Sequence, residues 1–229
     1  MEERYQRNLG ALTEEECALL RTRRVCVVGC GGLGGSILEL LLRIGVGAIT
    51  AVDGDRFEAS NLNRQLLSRV DNLGRGKAAA AAERAAAVNP QVEFRSIETF
   101  LDRDNCRRIL AGHHLVMDAL DSGESRRILA EGCAREGIPL IHGAIRGWHA
   151  QVAVVLPGSP LMERLYRPAA GEKRAADKSC LAFTPALCAA LQVAEGVKLL
   201  CGRPTLPPDS LLMADLLHGS FEVISLGKG

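Results

Sequence analysis

The chain has 229 residues, of which 47% are hydrophobic and 24 are glycine, and its formal charge at pH 7 is only +1. Such a composition fits a packed α/β domain and argues against disorder. The neutral balance gives bulk electrostatics no reason to recruit a nucleic acid or a membrane surface. No leader-like segment opens the sequence and no apolar run looks long enough to span a bilayer, so a cytoplasmic protein is expected.

In chain order, residues 25–29 form a short apolar run that predicts a buried parallel strand. Apolar residues recur at helical spacing over 33–44, where Gly45 ends the pattern. Residues 48–53 predict a second strand. The alanine-rich run 77–88 predicts a helix closed by Asn89-Pro90. Further strands are expected at 92–97, 115–118 and 139–142, with helices at about 104–110 and 124–136. This βαβ series predicts an α/β fold, Rossmann-like and doubly wound, with a mainly parallel sheet. After Gly147 the character changes. Residues 151–156 and 211–217 are strand-like, and 220–226 is placed to pair with the latter as an antiparallel C-terminal extension. Between them the polar stretch 157–178 reads as a long functional or disordered loop. Residues 185–200 read as one helix, and 203–208 as a stiff linker. The whole of 1–229 is taken as a single domain, with a nucleotide-binding half at about 20–147 and a crossover loop and C-terminal part at about 148–229.

Eight cysteines occupy positions 17, 26, 30, 106, 133, 180, 188 and 201. No two have the C-x-x-C spacing of a zinc ribbon, so no zinc site is expected. Several sit in apolar runs, Cys26 among them, where a free thiol acts as a small hydrophobe. Without a secretion signal a disulfide framework is not expected.

The sequence Gly29-Cys30-Gly31-Gly32-Leu33-Gly34 lies between a predicted strand and a predicted helix. Glycines there let the backbone approach a phosphate, and the helix N-terminus favours its charge. Asp53 ends the second strand, 22 residues beyond Gly31, where a carboxylate can accept from ribose hydroxyls. On these residues alone an NAD-dependent dehydrogenase is the favoured reading.

The run Asp53-Gly-Asp55 to Asn61-Leu-Asn-Arg64-Gln65, followed by Lys77, shifts that balance. A triphosphate losing pyrophosphate develops charge that calls for cations and a metal. Arg64 offers a bidentate fork and Lys77 a point charge. Lys77 falls in the first turn of its helix, where a cation opposes the macrodipole; a phosphate-binding lysine and a solvated surface lysine are the two readings. Asp118-Ala-Leu-Asp121 closes another strand, at the sheet end where ligands bind in open α/β folds. One of these aspartates can hold Mg2+, or Asp121 can simply cap the next helix in competition with Ser122.

Taken together, these motifs and the opening Arg4-Tyr5-Gln6-Arg7 resemble the ubiquitin-activating-enzyme-like adenylyltransferases of the ThiF/MoeB/HesA type, over nearly the whole chain. The resemblance implies an enzyme that uses Mg-ATP to adenylate the C-terminal glycine carboxylate of a small ubiquitin-fold sulfur-carrier protein. Pyrophosphate is released, and the activated carrier serves sulfur transfer in cofactor biosynthesis. It implies a nucleotide site built from Gly29, Gly31, Gly32, Gly34, Asp53, Asp55, Asn61, Arg64, Gln65 and Lys77. Asp53 would hold the ribose, Asn61, Arg64 and Lys77 the phosphates, and Asp121 the Mg2+. Arg7 would reach across a homodimer interface to the neighbouring subunit's ATP. The loop 157–178 would close over the carrier's tail.

Three features depart from that pattern. The paired zinc cysteines of many relatives are missing, and Ser122 stands where an asparagine is common, although Arg126 matches the arginine that follows. Cys180 lies where some relatives carry a cysteine that bonds covalently to the carrier. A reactive thiol there would need a cation such as Lys178 or a helix dipole, and an ordinary loop cysteine is the favoured alternative. His142 and Trp148 either line a substrate channel or pack under the crossover loop, the second being preferred. His113-His114 reads as a turn rather than a metal site. Rival functions are an offshoot acting on another acceptor such as a tRNA nucleoside, a non-catalytic nucleotide-binding partner, and an NAD-dependent oxidoreductase.

Overall fold

The computed structural model describes residues 2–167 and 179–227. A 3-10 helix, Glu3–Asn8, is followed by α1 (Glu14–Leu20), β1 (Arg24–Val28), α2 (Gly32–Ile44) and β2 (Ala48–Val52). Next come α3 (Lys77–Val88), β3 (Glu93–Ile97), α4 (Cys106–Leu110), β4 (Leu115–Asp118), α5 (Gly123–Glu136) and β5 (Leu140–Arg146). The chain then forms β6 (His149–Val155), α6 (Leu161–Leu165), α7 (Phe183–Leu200), β7 (Ser210–Asp215) and β8 (Ser220–Ser225). The strands make one sheet in the order β3-β2-β1-β4-β5-β6-β7-β8. Neighbours from β3 to β5 are parallel, and those from β5 to β8 are antiparallel.

Burial follows the connections. Every residue of β4, and all but the first of β1, is buried, because crossover helices cover both faces. On one face α2, α3 and α7 contribute Leu41, Ala81 and Val193 to the core; on the other, α4, α5 and α6 contribute Ile109, Leu129 and Met162. The outer strand β8 is exposed along its whole length. All eight cysteines are free: six are buried, and Cys180 and Cys201 are partly exposed. Burial pushes the Cys26 and Cys188 thiols up to about 12.

Four local expectations need correction. The stretch 157–178 is not all loop, since α6 lies within it and buries Leu161 and Met162. That apolar pair is too short to register as periodicity, and 168–178 lies outside the described residues. Strand β5 runs four residues past its expected end because β6 pairs with it from Leu140 to Arg146. Helix α4 starts later than expected, the Asp102 carboxylate having already taken the amides of Asp104 and Asn105. Finally, α7 is long and apolar enough to cross a bilayer by length and composition. It instead packs on the sheet, with Gln192 and Glu195 buried and hydrogen-bonded.

Candidate active site

A cavity of about 430 Å3 opens at the C-terminal ends of β1, β2 and β4. It sits where the strand order reverses, between β1 and β4, the place where open α/β sheets bind ligands. Gly29 turns the chain out of β1 at a φ of +99° while its amide donates to the Val52 carbonyl. Gly34 lets α2 descend onto that turn, because a Cβ there would lie 1.8 Å from the Gly29 carbonyl oxygen. Gly29, Gly31 and Gly32 line the cavity, and Gly34 does not.

Asp53 braces the loop. Its Oδ2 accepts from the Cys30 amide at 2.7 Å and its Oδ1 from the Asp55 amide at 2.8 Å. Lys77 opens α3 with its side chain buried and its Nζ 2.5 Å from Asp55 Oδ2. It is therefore not a solvated surface lysine. Burial works to raise the Asp55 carboxyl, but the hydrogen bond and charge of Lys77 and the Arg56 amide hold it below its ordinary value. An ammonium buried at a helix N-terminus is doubly unfavourable without an anion, and Asp55 supplies one.

The segment between β2 and α3 delivers the other groups. Buried Asn61 takes the Glu58 amide with its side chain, and its own carbonyl accepts from the Arg64 and Gln65 amides. Asn61 thus folds the turn that presents Arg64 and Gln65, and it does not line the cavity. Arg64 Nη1 donates to Ser60 O and Asn63 Oδ1, leaving Nη2 and Nε without a hydrogen bond among the described residues. The Gln65 carboxamide is buried beside Gly31 with Oε1 unpartnered.

Asp118 and Asp121 separate cleanly. Asp118 is wholly buried and bonded to His142, whereas Asp121 faces the cavity with no partner among the described residues. Ser122, not Asp121, caps α5 by accepting from the Ser125 amide. The free Asp121 carboxylate and the spare donors of Arg64 fit a triphosphate with its cation. No cluster of three or more acidic, His or Cys ligands exists among the described residues. A cation here would complete its shell from phosphate oxygens and water, which is how Mg2+ is commonly held.

The sequence profile of the ThiF family matches residues 5–228. The chain belongs to the ThiF family. It is 34% identical to the SAMP-activating enzyme E1 of Haloferax volcanii, over 97% of this chain and 84% of that protein. It is 33% identical to the sulfur carrier protein adenylyltransferase of Thermus thermophilus, over 99% of this chain and 88% of that one. With the molybdopterin-synthase adenylyltransferase of Salmonella typhimurium the identity is 32%, over 90% and 84%. Among solved structures, E. coli MccB with ATP superposes with a TM-score of 0.86, covering 100% of this chain and 73% of that one at 20% identity, a likeness of fold.

Two residues singled out from the ThiF-type motifs stand differently from the rest. Arg7 is exposed on the N-terminal 3-10 helix and does not line the cavity. That helix is pinned by Asn89, which accepts from Arg4 and donates to the Tyr5 hydroxyl, both at 2.7 Å. Cys180 lines the cavity, its carbonyl accepting from Asn63. Burial pushes its thiol up, with Arg64 acting the other way. Lys178, the cation that would activate it, lies outside the described residues.

His113 and His114 are held in hydrogen bonds away from the cavity. His113 binds Leu110 O and Thr50 Oγ1, and His114 Nδ1 accepts from the Arg24 amide. His142 is buried behind the cavity, while Trp148 stacks at the surface on Phe183. Sequence reasoning missed Thr99, Phe100 and Ser125, which also line the cavity. Phe100 is 69% exposed, and its position just past β3, at the ligand-binding end of the sheet, was the available signal.

Proposed function

We propose that this chain is a cytoplasmic, homodimeric adenylyltransferase that uses Mg-ATP to activate the C-terminal glycine carboxylate of a ubiquitin-fold sulfur-carrier protein. The observation that carries this reading is the convergence of Arg64, Lys77, Gln65 and an unpaired Asp121 on the glycine-loop cavity. A dinucleotide held for hydride transfer has no evident use for that set, whereas adenylyl transfer from a triphosphate does, and two of the relatives are named adenylyltransferases.

The residues divide the work. The glycine loop and the α2 N-terminus admit and orient phosphate oxygens. Asp53 stiffens the loop and is within reach of ribose hydroxyls. Arg64 and Lys77 hold the phosphates as the carrier's carboxylate attacks the α-phosphorus and pyrophosphate departs. Lys77 then shares its charge between Asp55 and phosphate. Asp121 would hold Mg2+, which would supply charge neutralisation for the leaving group. Catalysis is thus positioning and electrostatic stabilisation, with no group that must gain or lose a proton. Arg7 acts on the neighbouring subunit's nucleotide.

The test is exchange of labelled pyrophosphate into ATP with a panel of Gly-Gly-ended carriers. Exchange with one carrier is expected, falling at least about a hundredfold in Arg64→Ala and Asp121→Ala. Mixing Arg7→Ala with Arg64→Ala protein is expected to recover part of the activity if Arg7 works in trans. Tight Mg-ATP binding without exchange on any carrier would instead favour another acceptor.

A further inference from the structure

Behind the cavity floor four side chains close a ring of three hydrogen bonds and one ion pair. Asp118 Oδ2 lies 2.7 Å from Nδ1 of His142, its register partner on β5, and both side chains are wholly buried. A proton on Nδ1 facing the carboxylate makes Nε2 the accepting nitrogen. The Tyr166 hydroxyl stands 3.1 Å from that nitrogen and can donate to it. The same hydroxyl accepts from Arg126 Nη1 at 2.8 Å, and Arg126 Nε is 3.5 Å from Asp118 Oδ2. Gln151 Nε2 adds a second donor to His142 Nε2 at 3.1 Å.

This ring grips the turn that carries Asp121. Asp118 Oδ1 accepts from the Leu120 amide at 3.0 Å, and Arg126 Nη2 donates to the Leu120 carbonyl at 2.5 Å. The residue before Asp121 is therefore held by both of its backbone groups. On the other flank the Tyr166 ring lies against Gly123, where a Cβ would come within 3.1 Å of it. The Arg126 guanidinium stacks 5.1 Å from the centre of that ring. The Asp121 carboxylate is left without a partner among the described residues. A carboxylate with open lone pairs on a turn pinned at both sides is aimed without being occupied, and outer groups of this kind set the affinity of metal ligands.

We infer that Tyr166 and His142 are positioning residues for the Asp121 carboxylate, fixing it through Arg126 and the Leu120 peptide where a nucleotide-bound divalent cation meets it. The inference rests on Asp121 being the Mg2+ ligand. A role in packing alone would alter stability and leave cation affinity untouched.

The test is a Mn2+ titration read by electron paramagnetic resonance, with a non-hydrolysable ATP analogue present and well below the unfolding transition. Tyr166→Phe keeps the ring on Gly123 and removes only the hydroxyl. The expected result is about a tenfold rise in the Mn2+ Kd, with metal-free affinity for the analogue within about twofold of wild type. Wild-type Mn2+ affinity in Tyr166→Phe overturns the inference, whatever its thermal midpoint. Should that variant fail to fold, His142→Gln is judged by the same criterion. Asp121→Asn binding Mn2+ like wild type would sink the Mg2+-ligand reading itself, and this inference with it.

Discussion

Gly32 and Gly34 sit two residues apart and are glycine for different reasons. A Cβ at Gly34 would meet the Gly29 carbonyl at 1.8 Å, a backbone atom with nowhere to go. One at Gly32 would meet Pro185 at 3.5 Å, ordinary contact, at the first position of α2. Gly34→Ala is therefore expected to lose about 3 kcal/mol or more of stability. Gly32→Ala is expected to keep wild-type stability within about 1 kcal/mol, yet to bind nucleotide more weakly because its methyl borders the cavity. Thermal unfolding with and without Mg-ATP separates the two. A Gly34→Ala protein as stable as wild type would refute the packing account.

At the scale of elements, α7 is tied to two neighbouring parallel strands, β4 and β5, through one side chain. Gln192 Nε2 donates to Asp118 O at 2.8 Å and Ile141 O at 3.2 Å. It enters where Gly143 has no Cβ; a Cβ there would stand 2.2 Å from its amide carbon. Gln192→Leu leaves two buried carbonyls short of a donor and is expected to cost about 2–4 kcal/mol, measured by urea unfolding.

The same elements show what the sequence could and could not say. Helices α2 and α3 were legible because each has a period and a stop, Gly45 and Asn89. Helix α1 was missed although its Thr13–Glu16 capping box was in view, since seven residues give too little periodicity. The glycine loop, Arg64, Lys77 and Asp121 are close enough to local signals to be named in advance. The pairing of Asp118 with His142 is set by the register of two strands 24 residues apart, and no local pattern encodes it.

Across the whole molecule, two histidines make stability depend on pH. Burial pushes both His142 and His113 below the ordinary value of 6.5, while the unfolded chain titrates near that value. Above about pH 6.5 both states are neutral at these sites and the stabilisation is complete. As pH falls, the unfolded state gains protons that the folded state resists, so stability drops until the folded-state pKa values are passed. For His142 the slope approaches about 1.4 kcal/mol per pH unit. Urea midpoints are expected to be flat from pH 8 to 7 and to fall between pH 6.5 and 5.5. His142→Gln should show a shallower fall, and an equal fall would assign the effect elsewhere.

Six of the eight free cysteines lie in the interior, spread from α1 to α7 and over both faces of the sheet. Each is silent toward an alkylating reagent while the fold is closed. A molecule that opens fully presents all six together, whereas a local breathing motion presents only the one or two nearest it. Counting adducts per molecule by mass, as labelling proceeds, would therefore distinguish global from partial opening without any engineered probe: the chain carries its own clock.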